Sequence, residues 1–196
     1  MNETKCFSPY EGITVYDNVF SVPDQYNIFN HCNRAHYSIG WKDTPIHQQR
    51  YLHSRIDDNL WNKYLKYKET NNENDKTALI DMLDALSAAA PFTKIDKSKI
   101  TQSVINLDTI ADSHYKHYHP EQNVILYYAN IKWEDGWGGD TIFYDKYGKD
   151  VVFTSPYMPN RIIHFDGSIV HTFNPPTRIA DKYRFSISTF YDKTNK

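Results

Sequence analysis

The sequence predicts a mainly β fold with supporting helices, the helices drawn largely from the first half and an antiparallel β core from the second. Three observations carry that expectation. Apolar residues recur at helical spacing in two stretches before residue 90, whereas from about Ile100 short aromatic and β-branched runs are separated by turn residues. The composition agrees, because 16 Tyr and 10 Phe against only 7 Gly suit packed strands. A chain of 196 residues has room for one core, so 1–196 is expected to be a single domain, with helical support mainly in 1–99 and the β core mainly in 100–192.

Taken in order, Gly12 to Phe20 alternates apolar and polar residues and predicts a strand. Ser21-Val-Pro-Asp24 supplies cap and first-turn residues for a helix running to about Arg34. Tyr37 to Trp41 predicts a second strand. Leu60, Trp61, Tyr64 and Leu65 fall near helical spacing within Asp57 to Lys68, and Ala78, Leu79, Met82, Leu83 and Leu86 mark one face of a helix over Thr77 to Ala89. The polar stretch Glu69 to Lys76 between them is a loop. Strand-like runs follow at Ser103 to Ile110, Val124 to Trp133, Thr141 to Tyr144, Val151 to Phe153, Arg161 to Phe165 and Tyr183 to Tyr191, at spacings expected of a sandwich or barrel.

Charge and cysteine content exclude several function classes. Lys plus Arg is 22 and Asp plus Glu 24, a net charge of −2, which offers no whole-protein attraction to nucleic acid or an anionic membrane. Two cysteines, Cys6 and Cys32, cannot build a disulfide framework and form no Cys-x-x-Cys pair. The first residues lack a signal-like apolar stretch, and the longest apolar-leaning run, Ala85 to Phe92, is far too short to span a bilayer. A soluble, cytoplasmic protein is expected.

Histidine concentrates the chemical information. Of nine, His114, His117 and His119 lie close together, and His171 sits at the end of a later strand-like segment. His117-Tyr-His119 has the period of a strand, so both imidazoles leave one face and can converge on one ion. In an antiparallel barrel His171 can return beside that pair, giving three ligands and three open positions, the arrangement that non-haem Fe(II) uses. A His-x-His pair alone is a weak signal; its surroundings strengthen it.

Those surroundings are, in order, Leu126-Tyr-Tyr-Ala-Asn130, Trp133, Trp137-Gly-Gly-Asp-Thr-Ile-Phe143, Pro159-Asn-Arg161, Phe165-Asp166, His171-Thr and Tyr183-Arg-Phe-Ser-Ile-Ser188. With His117-x-His119 in front, the segment His117 to Phe190 resembles the prolyl 4-hydroxylase-like branch of the 2-oxoglutarate and Fe(II)-dependent oxygenases. The resemblance covers somewhat over a third of the chain, and it implies a double-stranded β-helix (jelly roll, cupin-like) core with an N-terminal helical layer. It also implies Fe(II), 2-oxoglutarate and O2 as the reacting set: oxidative decarboxylation to succinate coupled to hydroxylation of a substrate C–H bond, with a prolyl residue in a peptide or protein as the suggested substrate and a small metabolite as the other option. Position by position it makes His117 and His171 iron ligands and Arg184 the group that pairs the far carboxylate of 2-oxoglutarate, with Tyr128 donating its hydroxyl to the same carboxylate. Arginine suits that role because its planar fork grips a carboxylate and keeps its charge when buried.

One departure matters most. The family pattern is His-x-Asp, and here His119 stands where the carboxylate belongs. Three readings remain open: His119 is a third ligand; Asp112 or another nearby carboxylate takes the position; or the site is weakened and binds a different divalent ion. Two rival functions stay beside the oxygenase, a non-catalytic metal-binding β-barrel scaffold and a three-histidine iron dioxygenase that does not use 2-oxoglutarate. Of the remaining residues, His114 is expected to support the site or face solvent, without a ligand role, and His164 is expected to be a packed or hydrogen-bonded strand residue. Gly138-Gly139 is expected to allow a tight bend, and Asp166-Gly167 a turn that re-aims the chain towards His171. Asn130 and Arg161 are candidates for groups supporting the site or facing substrate. Trp133, Trp137 and Phe143 are candidates for a substrate mouth, with core packing expected for two of them.

Overall fold

A computed structural model of the protein describes residues 3–42, 48–112 and 115–193. Its regular elements in chain order are β1 (Lys5–Tyr10), β2 (Ile13–Asp17), α1 (Val22–Arg34), β3 (Ser38–Lys42), β4 (Gln48–Asp57), α2 (Asp58–Thr70), α3 (Ala78–Ala88), β5 (Ile100–Asp108), β6 (Gln122–Tyr128), β7 (Thr141–Tyr144), β8 (Val151–Ser155), β9 (Arg161–Asp166), β10 (His171–Phe173) and β11 (Arg184–Asp192). Among the described residues the strands form an eight-stranded sheet in the order β1-β2-β9-β6-β11-β5-β4-β3 and a three-stranded sheet in the order β10-β7-β8. The pairings are antiparallel throughout. This is a jelly-roll core with helices on one face, as the sequence predicts. β1 and β4 are additional strands that the sequence reading missed.

Helix starts follow from their caps. Ser21 Oγ accepts from the Asp24 N–H at 3.3 Å, Asp57 Oδ1 from Leu60 N–H at 3.1 Å and Thr77 Oγ1 from Ile80 N–H at 3.2 Å, each satisfying a donor that the first turn leaves open. The helices then bury one stripe each against the larger sheet. Ile28 and Cys32 of α1, and Met82, Leu83 and Leu86 of α3, pack with Ile105, Ile125, Tyr127, Phe185 and Ile187 from the sheet. Each such aliphatic side chain contributes about 1.5–3 kcal/mol by leaving water. Trp61 of α2 adds direction, donating its indole N–H to the buried Ser103 Oγ at 3.0 Å.

Strand alternation sends the other set of side chains into the space between the sheets. Val104, Val124, Leu126, Tyr128, Ile163, Phe165 and Phe190 meet Phe143 of the smaller sheet there. The central strands of the larger sheet are therefore buried on both faces, which explains why β6 reads as an almost continuous apolar run. No helix among the described residues is long and apolar enough to cross a membrane.

Candidate metal centre and the buried arginine

His117 and His171 face each other as a single antiparallel bridge that extends the smaller sheet beyond β10. The His117 N–H donates to His171 O at 3.0 Å and the His171 N–H to His117 O at 2.9 Å, so the two backbones hold each other in register. His171 opens β10 and does not end a strand. Two residues on, His119 N–H donates to Gly167 O at 2.6 Å, which draws the third imidazole over the turn between β9 and β10. Gly167 is required by space: a Cβ there would lie 2.4 Å from both Gln122 O and His119 O. The Asp166-Gly167 turn expected from sequence thus also sets the seat of His119.

The rings converge. Centroids are 4.4 Å apart for His117 and His171, 5.1 Å for His117 and His119, and 5.5 Å for His119 and His171. One ligand nitrogen from each lies within 4.8 Å of the others. The tautomers of two are set locally: the Nδ1 positions of His117 and His171 sit 3.1 Å and 2.8 Å from the carbonyls of Tyr115 and Ile169, so Nδ1–H donates and Nε2 keeps its lone pair. Burial, reinforced by His117, holds the His171 pKa well below the ordinary imidazole value, leaving it neutral, the form that binds metal. Phe165, Phe143 and Phe190 pack around the cluster at ring-centroid distances of 4.8 Å and 6.1 Å from His171 and 4.9 Å from His119. Three imidazole nitrogen donors in an apolar wall fit a first-row divalent ion.

Asp112, the alternative ligand, lies outside this group. Its carboxylate accepts from Thr109 N–H at 2.5 Å and closes its own turn. His114 falls outside the described residues. His164 is the strand residue expected, hydrogen-bonded to Tyr191 Oη at 2.7 Å.

Beyond the metal end, the inner face of β11 carries Phe190, Ser188, Ser186 and Arg184 in turn. A directly opposed row crosses it, with His53 of β4 beside Asn106 of β5, Asn106 beside Ser186, and Ser186 beside Tyr128 of β6. Arg184 closes the far end and is 1% exposed. Its guanidinium lies 4.5 Å from the Phe173 ring centroid and 5.0 Å from that of Tyr157. Arg184 Nε donates to Gly139 O at 2.9 Å, a close approach that a Cβ on Gly139 would oppose at 3.1 Å from Arg184 Cδ; Gly139 also has φ +86°. The bend expected at Gly138-Gly139 is therefore a seat for Arg184.

Arg184 already has a carboxylate partner. Its Nη1 donates to Asp108 Oδ2 at 2.7 Å and to Ser186 Oγ at 3.2 Å, with Asp108 fully buried. Burial pushes the Asp108 carboxyl up to about 6 in spite of the lowering by the guanidinium. Asp108 and Tyr157 are the residues that sequence reasoning missed here. An aspartate at the end of a strand reads as a turn former, and its partner lies 76 positions away. Tyr157 stacks on Tyr128 at 4.3 Å and donates to Asn130 Oδ1 at 2.6 Å. Asn130 also accepts from Phe185 N–H at 2.8 Å and donates to Tyr183 O at 2.9 Å, clasping the backbone on both sides of Arg184, so it supports the site as expected.

Tyr128 is fully buried between the sheets, and its hydroxyl donates to Thr141 Oγ1 at 2.7 Å. Arg161 forms a two-pronged ion pair with Asp17 at 2.6 Å and 2.9 Å that ties β9 to β2, and its Nη1 donates to the Oγ of Ser155 at 3.2 Å, the residue whose carbonyl lies 3.4 Å from the Tyr128 hydroxyl. Trp137 and Phe143 are core residues at 7% and 0% exposure, and Trp133 packs beside Trp137 and Tyr157.

Comparison with known proteins places this architecture. No protein-family model matches the sequence, and neither does any curated protein. Solved structures do match in fold. A Pseudomonas putida prolyl-4-hydroxylase superposes with TM-score 0.59 at 12% identity, covering 94% of each chain. A 2OG-Fe(II) oxygenase family oxidoreductase from Burkholderia pseudomallei gives 0.60 at 12%, covering 94% of this chain and 87% of that one. The non-heme alpha ketoglutarate dependent carbocyclase SnoK from nogalamycin biosynthesis gives 0.55 at 11%, covering 93% and 79%. The chain has the fold of the prolyl 4-hydroxylase-like 2-oxoglutarate/Fe(II) oxygenases.

Proposed function

We propose that this chain is a non-haem Fe(II), 2-oxoglutarate-dependent dioxygenase that hydroxylates a C–H bond. The observation that carries the reading is the convergence of His117, His119 and His171 in a jelly-roll core that also buries an arginine, Arg184, on β11. Bound iron and 2-oxoglutarate would supply the oxidising power, turning O2 and the 2-oxo acid into succinate, CO2 and a hydroxylated product.

The chain's own residues would bind and orient. His117, His119 and His171 would hold the metal, the first and last through Nε2 because their Nδ1–H groups face backbone carbonyls. Three imidazoles add no negative charge, so the ion keeps more of its own and acts as a stronger Lewis acid than beside a carboxylate. Arg184 would take the far carboxylate of the 2-oxo acid through Nη2, the nitrogen without an acceptor among the described residues, and Tyr128 would turn its hydroxyl from Thr141 to assist. Phe143, Phe165 and Phe190 would keep water from the reacting centre. The prolyl-4-hydroxylase of the same fold supports a prolyl residue as substrate, and the carbocyclase supports a small molecule.

The Asp108–Arg184 pair favours a second reading, a three-histidine iron dioxygenase that binds its substrate directly and has no use for 2-oxoglutarate. One experiment separates them. Apo-protein is titrated anaerobically with Fe(II) and then 2-oxoglutarate, and the visible charge-transfer band of a chelated keto acid is followed. The oxygenase reading expects the band in wild type and its loss in His117→Ala, His119→Ala and His171→Ala. Metal binding without a band in wild type would overturn it in favour of direct substrate binding or a scaffold role.

A further inference from the structure

We propose that Asp108 is a specificity determinant, a resident carboxylate that occupies the arginine clamp and weakens this chain's grip on the second carboxylate of a 2-oxo dicarboxylic acid; this rests on the reading of the site as a 2-oxo acid site. Asp108 and Arg184 are directly opposed on neighbouring strands β5 and β11, with the Oδ2 to Nη1 distance 2.7 Å and side-chain exposures of 0% and 1%. The contact is thus set by strand register in the buried interior, away from solvent that could screen it.

The guanidinium offers five N–H donors. Nε is used by Gly139 O, and Nη1 by Asp108 Oδ2 and Ser186 Oγ. Only the Nη2 edge has no acceptor among the described residues. A carboxylate is held best by two nitrogens in parallel, and that fork is closed here unless Asp108 gives way. Charge works in the same direction. The Asp108–Arg184 pair is neutral, so an arriving second carboxylate meets no net positive charge and lies beside a resident negative one in a dry site. The raised Asp108 pKa, about 6, fits a carboxylate kept in place by the fold at an electrostatic cost. By contrast, a 2-oxo acid with only its metal-chelating carboxylate loses nothing at this end.

The test is calorimetric binding to full-length protein loaded anaerobically with Mn(II), comparing 2-oxoglutarate with 2-oxobutyrate, which lacks the second carboxylate. In wild type, 2-oxoglutarate is expected to bind less than about tenfold more tightly than 2-oxobutyrate. In Asp108→Asn, 2-oxoglutarate is expected to tighten by at least about tenfold while 2-oxobutyrate and Mn(II) stay nearly unchanged. Unchanged or weaker 2-oxoglutarate binding in Asp108→Asn would make Asp108 a group that merely positions Arg184 and would overturn the proposal. So would equal tightening of both acids. Should the variant fail to fold, wild type alone decides: a preference for 2-oxoglutarate above about a hundredfold means that the clamp grips fully with Asp108 present. If wild type and variant bind Mn(II) but neither acid, the 2-oxo acid reading itself falls, and this inference with it.

Discussion

At the metal end, His117 and His171 satisfy each other's backbone groups and tie their Nδ1–H groups to local carbonyls, so nitrogen lone pairs are left facing a common point. At the clamp end, Arg184 meets a carboxylate, a carbonyl and a hydroxyl of its own chain before any ligand arrives. The same jelly roll thus carries one end whose polar groups are arranged for an outside partner and another that is largely satisfied from within. A fold-level likeness cannot separate the two; only the partner atoms do.

The largest expected effect lies at the metal end. His171→Ala removes one of three nitrogen donors and should lower Co(II) or Fe(II) affinity by at least about a hundredfold in a direct titration, beyond the 10- to 100-fold typical of losing a supporting group. Retained affinity would mean that His117 and His119 recruit a different third ligand and that the described cluster is not the working one.

Next comes Arg184→Ala, which tests how completely the clamp is satisfied from within. Removing the guanidinium leaves Asp108 buried without its cation, and such losses cost about 3–5 kcal/mol of stability. Urea unfolding should therefore show a strong loss, largely recovered in Arg184→Ala/Asp108→Asn, while metal affinity in the folded protein stays near wild type. A mild effect of the single substitution would show that Asp108 gains little from Arg184. Loss of 2-oxo acid binding in Arg184→Ala alone is ambiguous for this reason, and the double variant is the proper comparison.

Gly167→Ala perturbs the metal end through the backbone. The added methyl would approach Gln122 O and His119 O at 2.4 Å, so the turn must move. Overpacking of this kind costs about 1–3 kcal/mol, and the shift should reach His119 first. Metal affinity is expected to fall by about tenfold, less than in His171→Ala, because the His117–His171 bridge stays intact.

The sequence made the metal end legible and the clamp only in part. His117, His119 and His171 could be picked out because a strand period and a turn before β10 are local signals, and helix starts at Ser21, Asp57 and Thr77 could be placed for the same reason. β4 left no apolar alternation to read, since its inner face meets the polar row at Asn106. β1 is exposed along nearly its whole length and has no buried face to pattern. Arg161 was a candidate for a group supporting the site or facing substrate, and its carboxylate partner, Asp17, comes from the opposite end of the chain, a pairing that no local signal announces. Asp108 escaped notice for the mirror-image reason: its meaning comes only from the β5–β11 register, a long-range pairing without a local signature.

The smallest expected effect concerns Tyr128, where both ends of the comparison meet. Its hydroxyl donates to the buried Thr141 Oγ1, and its ring stacks on Tyr157 beside Arg184. In Tyr128→Phe the ring packing survives and one buried hydrogen bond is lost, at about 1 kcal/mol of stability. If Tyr128 also serves an incoming carboxylate, 2-oxoglutarate affinity in the Mn(II)-loaded protein should fall several-fold while 2-oxobutyrate affinity holds, since only the former has a carboxylate to accept the bond. The same substitution in an Asp108→Asn background sharpens the point. With the resident carboxylate gone, the arriving one can settle fully on Arg184, and the Tyr128 hydroxyl should then matter more than in wild type. Equal effects in the two backgrounds would place Tyr128 outside the clamp, as a packing residue whose hydroxyl belongs to Thr141.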